Sequence, residues 1–242
     1  MESNPVSRRT EIARGFRAAF PNTVPVLTAF LVLGLAYGVL MQTKGYGPLW
    51  SGLMSAVAFC GGMQFVAITA LLTTAFNPVQ AFLLSLMVNA RHIFYGLSLL
   101  EKYKALGWRR VFCIYTLCDE NFSLSSTLEP PEGVQPKDFY FAISLLNWSY
   151  WVIASILGGL LGNFLTFNTT GLDFALTALF VVLFLEQVNK KENRAAGAVG
   201  IAATVVSLVL FGADNLVIPA MVLILVVALL GKNKLGGNKT CH

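Results

Sequence analysis

Residues 48–76 read PLWSGLMSAVAFCGGMQFVAITALLTTAF, a run with no charged residue. A helix that spans a bilayer needs about 20 apolar residues rising about 1.5 Å each. This run is long enough, but Gly61 and Gly62 stand at its midpoint and the polar Gln64 follows. Two adjacent glycines cost about 1 kcal/mol each inside a helix, so the pair marks a natural break. The expectation is that 48–60 enters, turns at the glycines, and 63–76 returns on the same side. Asn77-Pro78 then opens the next helix, where proline is tolerated in the first turn.

Working outward, further apolar stretches cover approximately 22–43, 78–100, 110–128, 139–163, 172–188, 195–212 and 215–231. Hydrophobic residues make up 56% of the chain and charged ones 12%, about half the charged share of a soluble domain. The apolar stretches are continuous and do not alternate with period two, which excludes a membrane β-barrel. Most Lys and Arg lie between these stretches, so the net charge of +5 is loop bias and not a nucleic-acid surface. Cys60, Cys113, Cys118 and Cys241 have no metal-site spacing and read as small hydrophobes.

The basic residues of the N-terminal segment, the 101–110 loop, the 189–194 loop and the tail place all four in the cytoplasm. Three simple crossings before residue 101 would put its loop outside. The break at Gly61-Gly62 resolves the conflict if 48–76 re-enters. The same parity makes 110–128 begin and end inside, with Cys118-Asp119-Glu120-Asn121 at its turn. One hairpin from each face is the layout of inverted-repeat transporters, although no residue-level repeat is evident. The reading is an all-α polytopic membrane protein with about six full crossings, two broken or re-entrant helical hairpins and a possible inverted repeat. Eight simple crossings with one violation of the charge rule are the alternative.

Residues 1–21 are expected to form a cytoplasmic interfacial segment, with Ile12, Phe16 and Phe20 opposite Arg9, Arg14 and Arg17. A single transport domain follows over 22–231, then a cytoplasmic basic tail over 232–242. The run after Asn22 is long enough to span, so no cleavable leader is expected.

Four ionisable groups cannot easily reach an interface: Arg91, His92, Asp119 and Glu120. Each costs at least about 2.5–3.5 kcal/mol at a helix centre and persists when paired, hydrated or useful. Pairing Arg91 with one carboxylate leaves the other over, which suits proton coupling or gating, with His92 as a second relay. Snorkelling of Arg91 and helix capping by the carboxylates are the structural alternatives. Asn89, Arg91, His92 and Tyr95 form one broad polar sector at helical spacing. Freed backbone groups at Gly61-Gly62, together with Gln64, could hold a carboxylate and an amine. Tyr37 and Asn121 complete the candidate substrate-binding set. Gly34/Gly38 and Gly158/Gly162 are small-xxx-small pairs that mark close helix contact. Asn147-Trp148 reads as an interfacial anchor near a helix end, and Glu186 and Gln187 as a solvated rim. Phosphate loops, metal-ligand clusters and nucleophile elbows are absent, so neither cofactor nor enzyme chemistry is expected.

The stretches Gly34-Leu-Ala-Tyr-Gly38, Ala58-Phe-Cys-Gly-Gly-Met-Gln-Phe65, Asn89-Ala-Arg-His-Ile-Phe-Tyr-Gly96 and Thr116-Leu-Cys-Asp-Glu120 together resemble the AzlC-type branched-chain amino acid permeases. The similarity runs in order from roughly 20 to 230. It implies the large subunit of a bacterial inner-membrane exporter of branched-chain amino acids. It also implies a small AzlD-type membrane subunit as partner and the proton gradient as energy source.

Overall fold

The structure, a computed structural model, describes residues 8–70, 77–89, 91–164, 181, 184, 185, 188, 189, 194–212 and 216–230. All regular structure among them is helical. The chain divides into two compact units, Met1–Phe167 and Asn168–His242. Expectations that concern 165–180, Glu186, Gln187, 190–193, 213–215 and 231–242 lie outside the described residues.

The first unit holds nine helices among the described residues: α1 Arg8–Thr43, α2 Pro48–Ala58, α3 Gly62–Ala70, α4 Pro78–Asn89, α5 Arg91–Ser98, α6 Leu100–Lys104, α7 Arg109–Tyr115, α8 Asp119–Thr127 and α9 Pro136–Phe164. The second unit presents α10 Arg194–Phe211 and α11 Val217–Leu230, packed on each other. Three described helices, α1, α9 and α10, are long and apolar enough to cross a membrane.

The first unit is organised on α1 and α9, which run parallel. A Cβ added to Gly15 would meet Asp138, one on Gly34 would meet Ala154, and one on Gly162 would meet Gln42. At the tightest point a Cβ on Gly38 would fall 2.2 Å from the Ser155 carbonyl, and one on Gly158 2.3 Å from that of Leu35. The two small-residue pairs seen in the sequence therefore pack on each other. Lipid supplies no hydrophobic drive between helices, so this backbone approach supplies van der Waals contact instead. Helix α1 continues without interruption from the basic segment through Pro21 and Pro25. Asn22 and Thr23 donate to the carbonyls of Ala18 (3.0 Å) and Phe20 (2.9 Å) there.

The start of α7 and the end of α8 sit at the same end of α9. Arg109 at the start of α7 bonds the Asp138 carboxylate and the Lys137 carbonyl. Tyr140 at the start of α9 donates to the Leu128 carbonyl just beyond α8 (3.0 Å). Lys102 bridges to Glu129 at 2.7 Å and donates to the Ser125 carbonyl at 3.1 Å. That ion pair holds the exposed Glu129 carboxyl below its usual range. Helices α7 and α8 are thus the two arms of one hairpin that turns at 116–118. The Arg109–Asp138 pair is buried and anchors the hairpin's base.

Helix α2 approaches from the other end. Pro48 lies against Gly159, and Ser55 donates to Ser155 at 2.7 Å. The helix stops at Ala58, where Phe59 takes a left-handed conformation (φ 36°) and Gly61 follows with φ +37°. Helix α3 starts at Gly62, so the chain breaks where the glycine pair placed it. The second limb is described only to Ala70. Helix α4 starts at Pro78, with the Asn77 side chain accepting from the Val79 amide at 3.1 Å.

Gly38→Val is expected to destabilise the detergent-solubilised protein by about 1–3 kcal/mol or more through overpacking. A Cβ at Gly62 would meet nothing, so Gly62→Ala should stay within about 1 kcal/mol of wild type. Thermal unfolding of the two variants checks the contrast.

Candidate functional site

The two broken segments meet halfway along α9. Trp148 donates its indole N–H to the Ala56 carbonyl at 3.2 Å, and Tyr115, the last residue of α7, bonds the same oxygen. Helix α9 is about 42 Å long, and Asn147 and Trp151 stand about 16 and 22 Å from its start. The α2 tip and the α7–α8 turn therefore converge near the middle of a span. Asn147, expected as an anchor near a helix end, is instead fully buried at this level, because α9 reaches from Pro136 to Phe164.

Two hydrogen-bonded sets occupy the junction. In the first, Trp151 donates to Gln64 Oε1 at 2.8 Å, and Gln64 Nε2 donates to Ser55 at 3.0 Å. Ser55 donates to Ser155, and Ser155 donates to the Trp151 carbonyl at 2.8 Å. An indole N–H only donates and a carbonyl only accepts, so the ring has one direction throughout. Gln64, a predicted substrate ligand, is fully buried with its carbonyl engaged in this ring. Tyr37 packs over the ring, stacked on Trp151 (6.1 Å) and edge-on to Phe65 (5.5 Å). In the second set, Asn121 donates to the Thr116 carbonyl across the α7–α8 turn. Asn147 donates to Asn121 Oδ1 at 2.6 Å.

The predicted ionisable groups gather on α5 and α8. Arg91 pairs with Asp119 at 2.9 Å, with the side chains 50% and 41% exposed. Tyr95 stacks on Phe122 at 4.4 Å, and His92 meets Tyr95 edge-on at 5.6 Å. His92 Nδ1 lies 3.0 Å from the Asn89 carbonyl, and Asn89 reaches Ser85 at 3.4 Å. Arg91 and Tyr95 thus share the face turned to α8, as their spacing implies. Asp119 and Glu120 form the first turn of α8, where the helix dipole favours negative charge. Arg91 takes Asp119 in its ion pair, and Glu120 is the remaining carboxylate.

The structure thus joins Gln64 and Tyr37 in one cluster through Trp151, and Asn89, Arg91, His92, Tyr95 and Asp119 in another. Asn121 belongs to the α7–α8 turn, and Gly61 and Gly62 to the tip between α2 and α3. Sequence reading missed Ser55, Asn147, Trp151 and Ser155. Their signal was available: Asn147, Trp151 and Ser155 recur every four residues along an apolar helix, and buried polar groups in a membrane need partners.

Long apolar helices, broken segments meeting at mid-height and charges held between helices define a helical membrane protein. The sequence profile described as AzlC protein matches residues 25–165. The chain is 45% identical over 220 residues to the branched-chain amino acid transport protein AzlC of Bacillus subtilis, covering 91% of this chain and 86% of that one. It is 39% identical over 225 residues to an uncharacterized membrane protein of Helicobacter pylori, covering 93% and 98%. It is 26% identical over 190 residues to the inner membrane protein YgaZ of Escherichia coli, covering 74% and 75%. The chain belongs to the AzlC family. No solved structure matches it.

Gln64→Leu removes the acceptor for Trp151 and the donor to Ser55. Leaving these buried groups unpaired is expected to cost about 1–3 kcal/mol, read as a lower unfolding temperature in detergent.

Proposed function

We propose that this protein is the large subunit of a bacterial inner-membrane secondary transporter that exports branched-chain or similar apolar amino acids. The observation that carries the reading is the mid-height meeting of two helix breaks. Backbone polar groups freed in a membrane interior are tolerated where they are buried in protein or line a wet path. Tyr37, Phe65 and Trp151 give the junction an apolar wall suited to a branched side chain. The transport protein of Bacillus subtilis, similar over nearly the whole chain, supports the substrate class.

The topology we infer has six full crossings and two re-entrant hairpins, with both termini in the cytoplasm. In it, 109–128 enters and leaves on the cytoplasmic side. Glu120, left over by the Arg91–Asp119 pair, is the group proposed to load and release a proton. A small AzlD-type membrane subunit is the proposed partner. Phe94 and Leu97 are exposed beside the half-exposed Arg91–Asp119 pair. Facing that pair to hydrocarbon would cost at least about 2.5–3.5 kcal/mol per charge, so a protein neighbour suits this face.

Membrane vesicles loaded with leucine, with the small subunit co-expressed, test the reading. Saturable efflux that a protonophore abolishes is expected, and Glu120→Gln should lose at least tenfold in rate and its dependence on the pH gradient. Unchanged efflux from a folded Asp119→Asn/Glu120→Gln protein would favour a scaffold over a carrier. For topology, Ala105→Cys should resist an impermeant thiol reagent in intact cells. Labelling from outside would contradict the hairpins.

A further inference from the structure

The starts of α1, α7 and α9 surround a cavity of about 500 Å³ at the base of the α7–α8 hairpin. Arg8 and Glu11 line it from α1, Trp108 and Arg109 from the start of α7, and Lys137 and Asp138 from α9. Small-molecule sites fall in the range of roughly 300–1,000 Å³, so the space is sufficient for a ligand. Arg109 and Asp138 are buried and closed on each other. The other ion pairs among the described residues are Arg91–Asp119, Lys102–Glu129 and Lys104–Glu101, so Arg8, Glu11 and Lys137 pair with none of those residues. Two positive charges and one negative charge therefore face the cavity uncompensated, a balance of one positive charge.

The level of this cavity is set by its two long helices. Gly15 packs on Asp138, and beyond Arg17 in α1 and Asp138 in α9 neither helix carries another charge. The cavity therefore lies where head groups give way to hydrocarbon. Trp108 is exposed at its rim, as aromatic residues are at that boundary. From Trp108 the exposed side chains of Val111 and Ile114 continue at three-residue spacing along α7 toward mid-height. Trp108 belongs to both, so a charged cavity and an apolar stripe are continuous. A soluble anion would use only the first, whereas a lipid uses both.

We propose that this cavity holds the head group of an anionic phospholipid with one phosphodiester charge, of the phosphatidylglycerol type, with an acyl chain along Trp108, Val111 and Ile114. Arg8 and Lys137 take the phosphate, and its single charge closes the balance of the cavity. Glu11 accepts from head-group hydroxyls and repels the further charge of a phosphomonoester, which carries about −1.5 to −2. A zwitterionic head group would leave the positive charge uncompensated. On the topology inferred above this end faces the cytoplasm, where the leaflet surface is negative and basic pockets between helices hold lipid head groups. The site is separate from the mid-height junction and does not rest on the transport reading.

The test gives the purified full-length protein, in a neutral detergent, equimolar dioleoyl phosphatidylglycerol and dioleoyl phosphatidylethanolamine, and counts retained lipid by native mass spectrometry. Wild type should retain one phosphatidylglycerol in clear preference to phosphatidylethanolamine. Each basic side chain near an anionic lipid is worth roughly fivefold, so Arg8→Gln/Lys137→Gln should lower that retention by about tenfold or more. Arg9→Gln/Arg14→Gln removes the same charge from α1 outside the cavity and should stay within about twofold of wild type. Equal losses in the two variants would overturn the site in favour of diffuse attraction to the basic segment. Glu11→Gln should admit dioleoyl phosphatidic acid better than wild type does. Unchanged selectivity there would overturn the charge match, and this variant decides if the double variant at 8 and 137 does not fold. Glycerophosphoglycerol, the same head group without chains, should fail to displace the lipid at equal concentration. If it displaces as well as the lipid itself, the ligand is a soluble anion and the lipid assignment falls. Wild type that retains neither lipid, or both equally, would overturn it as well.

Discussion

A membrane interior has no water to satisfy a broken backbone. That constraint governs the first unit of this protein. Helices α2 and α7 both stop near mid-height, and each stop frees carbonyls and amides. The protein answers by bringing the two stops together: one carbonyl, that of Ala56, takes hydrogen bonds from both Tyr115 and Trp148. The close parallel packing of α1 on α9 makes this possible. With glycine at 38 and 158 the two backbones nearly touch, and α9 becomes the rigid rail against which both breaks are registered.

Around that rail the polar groups divide by whether their hydrogen bonding is complete. The Trp151–Gln64–Ser55–Ser155 ring closes on itself and works as a joint between α2, α3 and α9. The Arg109–Asp138 pair closes the hairpin base. Breaking such a buried pair by removing one partner costs about 3–5 kcal/mol, so it ties the hairpin's geometry to the fold's stability. The Asn121–Asn147 chain ends on the buried Asn147 Oδ1, which has no donor.

Much of this was legible in the sequence. Gly61-Gly62 announced its break because adjacent glycines have no packing reason inside an apolar run. Asp119-Glu120 announced the second because two carboxylates at mid-span suit a helix start better than a helix middle. The small-residue pairs gave helix contact but not partner choice, since spacing along one helix does not say which neighbour it meets. The Arg91–Asp119 pair was readable only as one of two pairings. The ring through Gln64 was readable only in part: Trp151 and Ser155 recur at helical spacing, but its members come from three segments, and serines in an apolar helix look the same whether they bond their own backbone or a neighbour. Asn147 was misread as an anchor because the apolar stretch seemed to begin later than α9 does.

The central claim is that the two breaks touch at mid-height. Cross-linking tests it most directly, with Ala56→Cys and Tyr115→Cys combined in a chain whose Cys60, Cys113, Cys118 and Cys241 are replaced by serine. A short bifunctional thiol reagent should join the pair within one chain in native membranes. The same reagent should fail on Ala56→Cys paired with a cysteine at Ala105, at the hairpin's base. A folded protein in which 56 and 115 do not join, or in which 56 joins 105 as readily, would contradict the account.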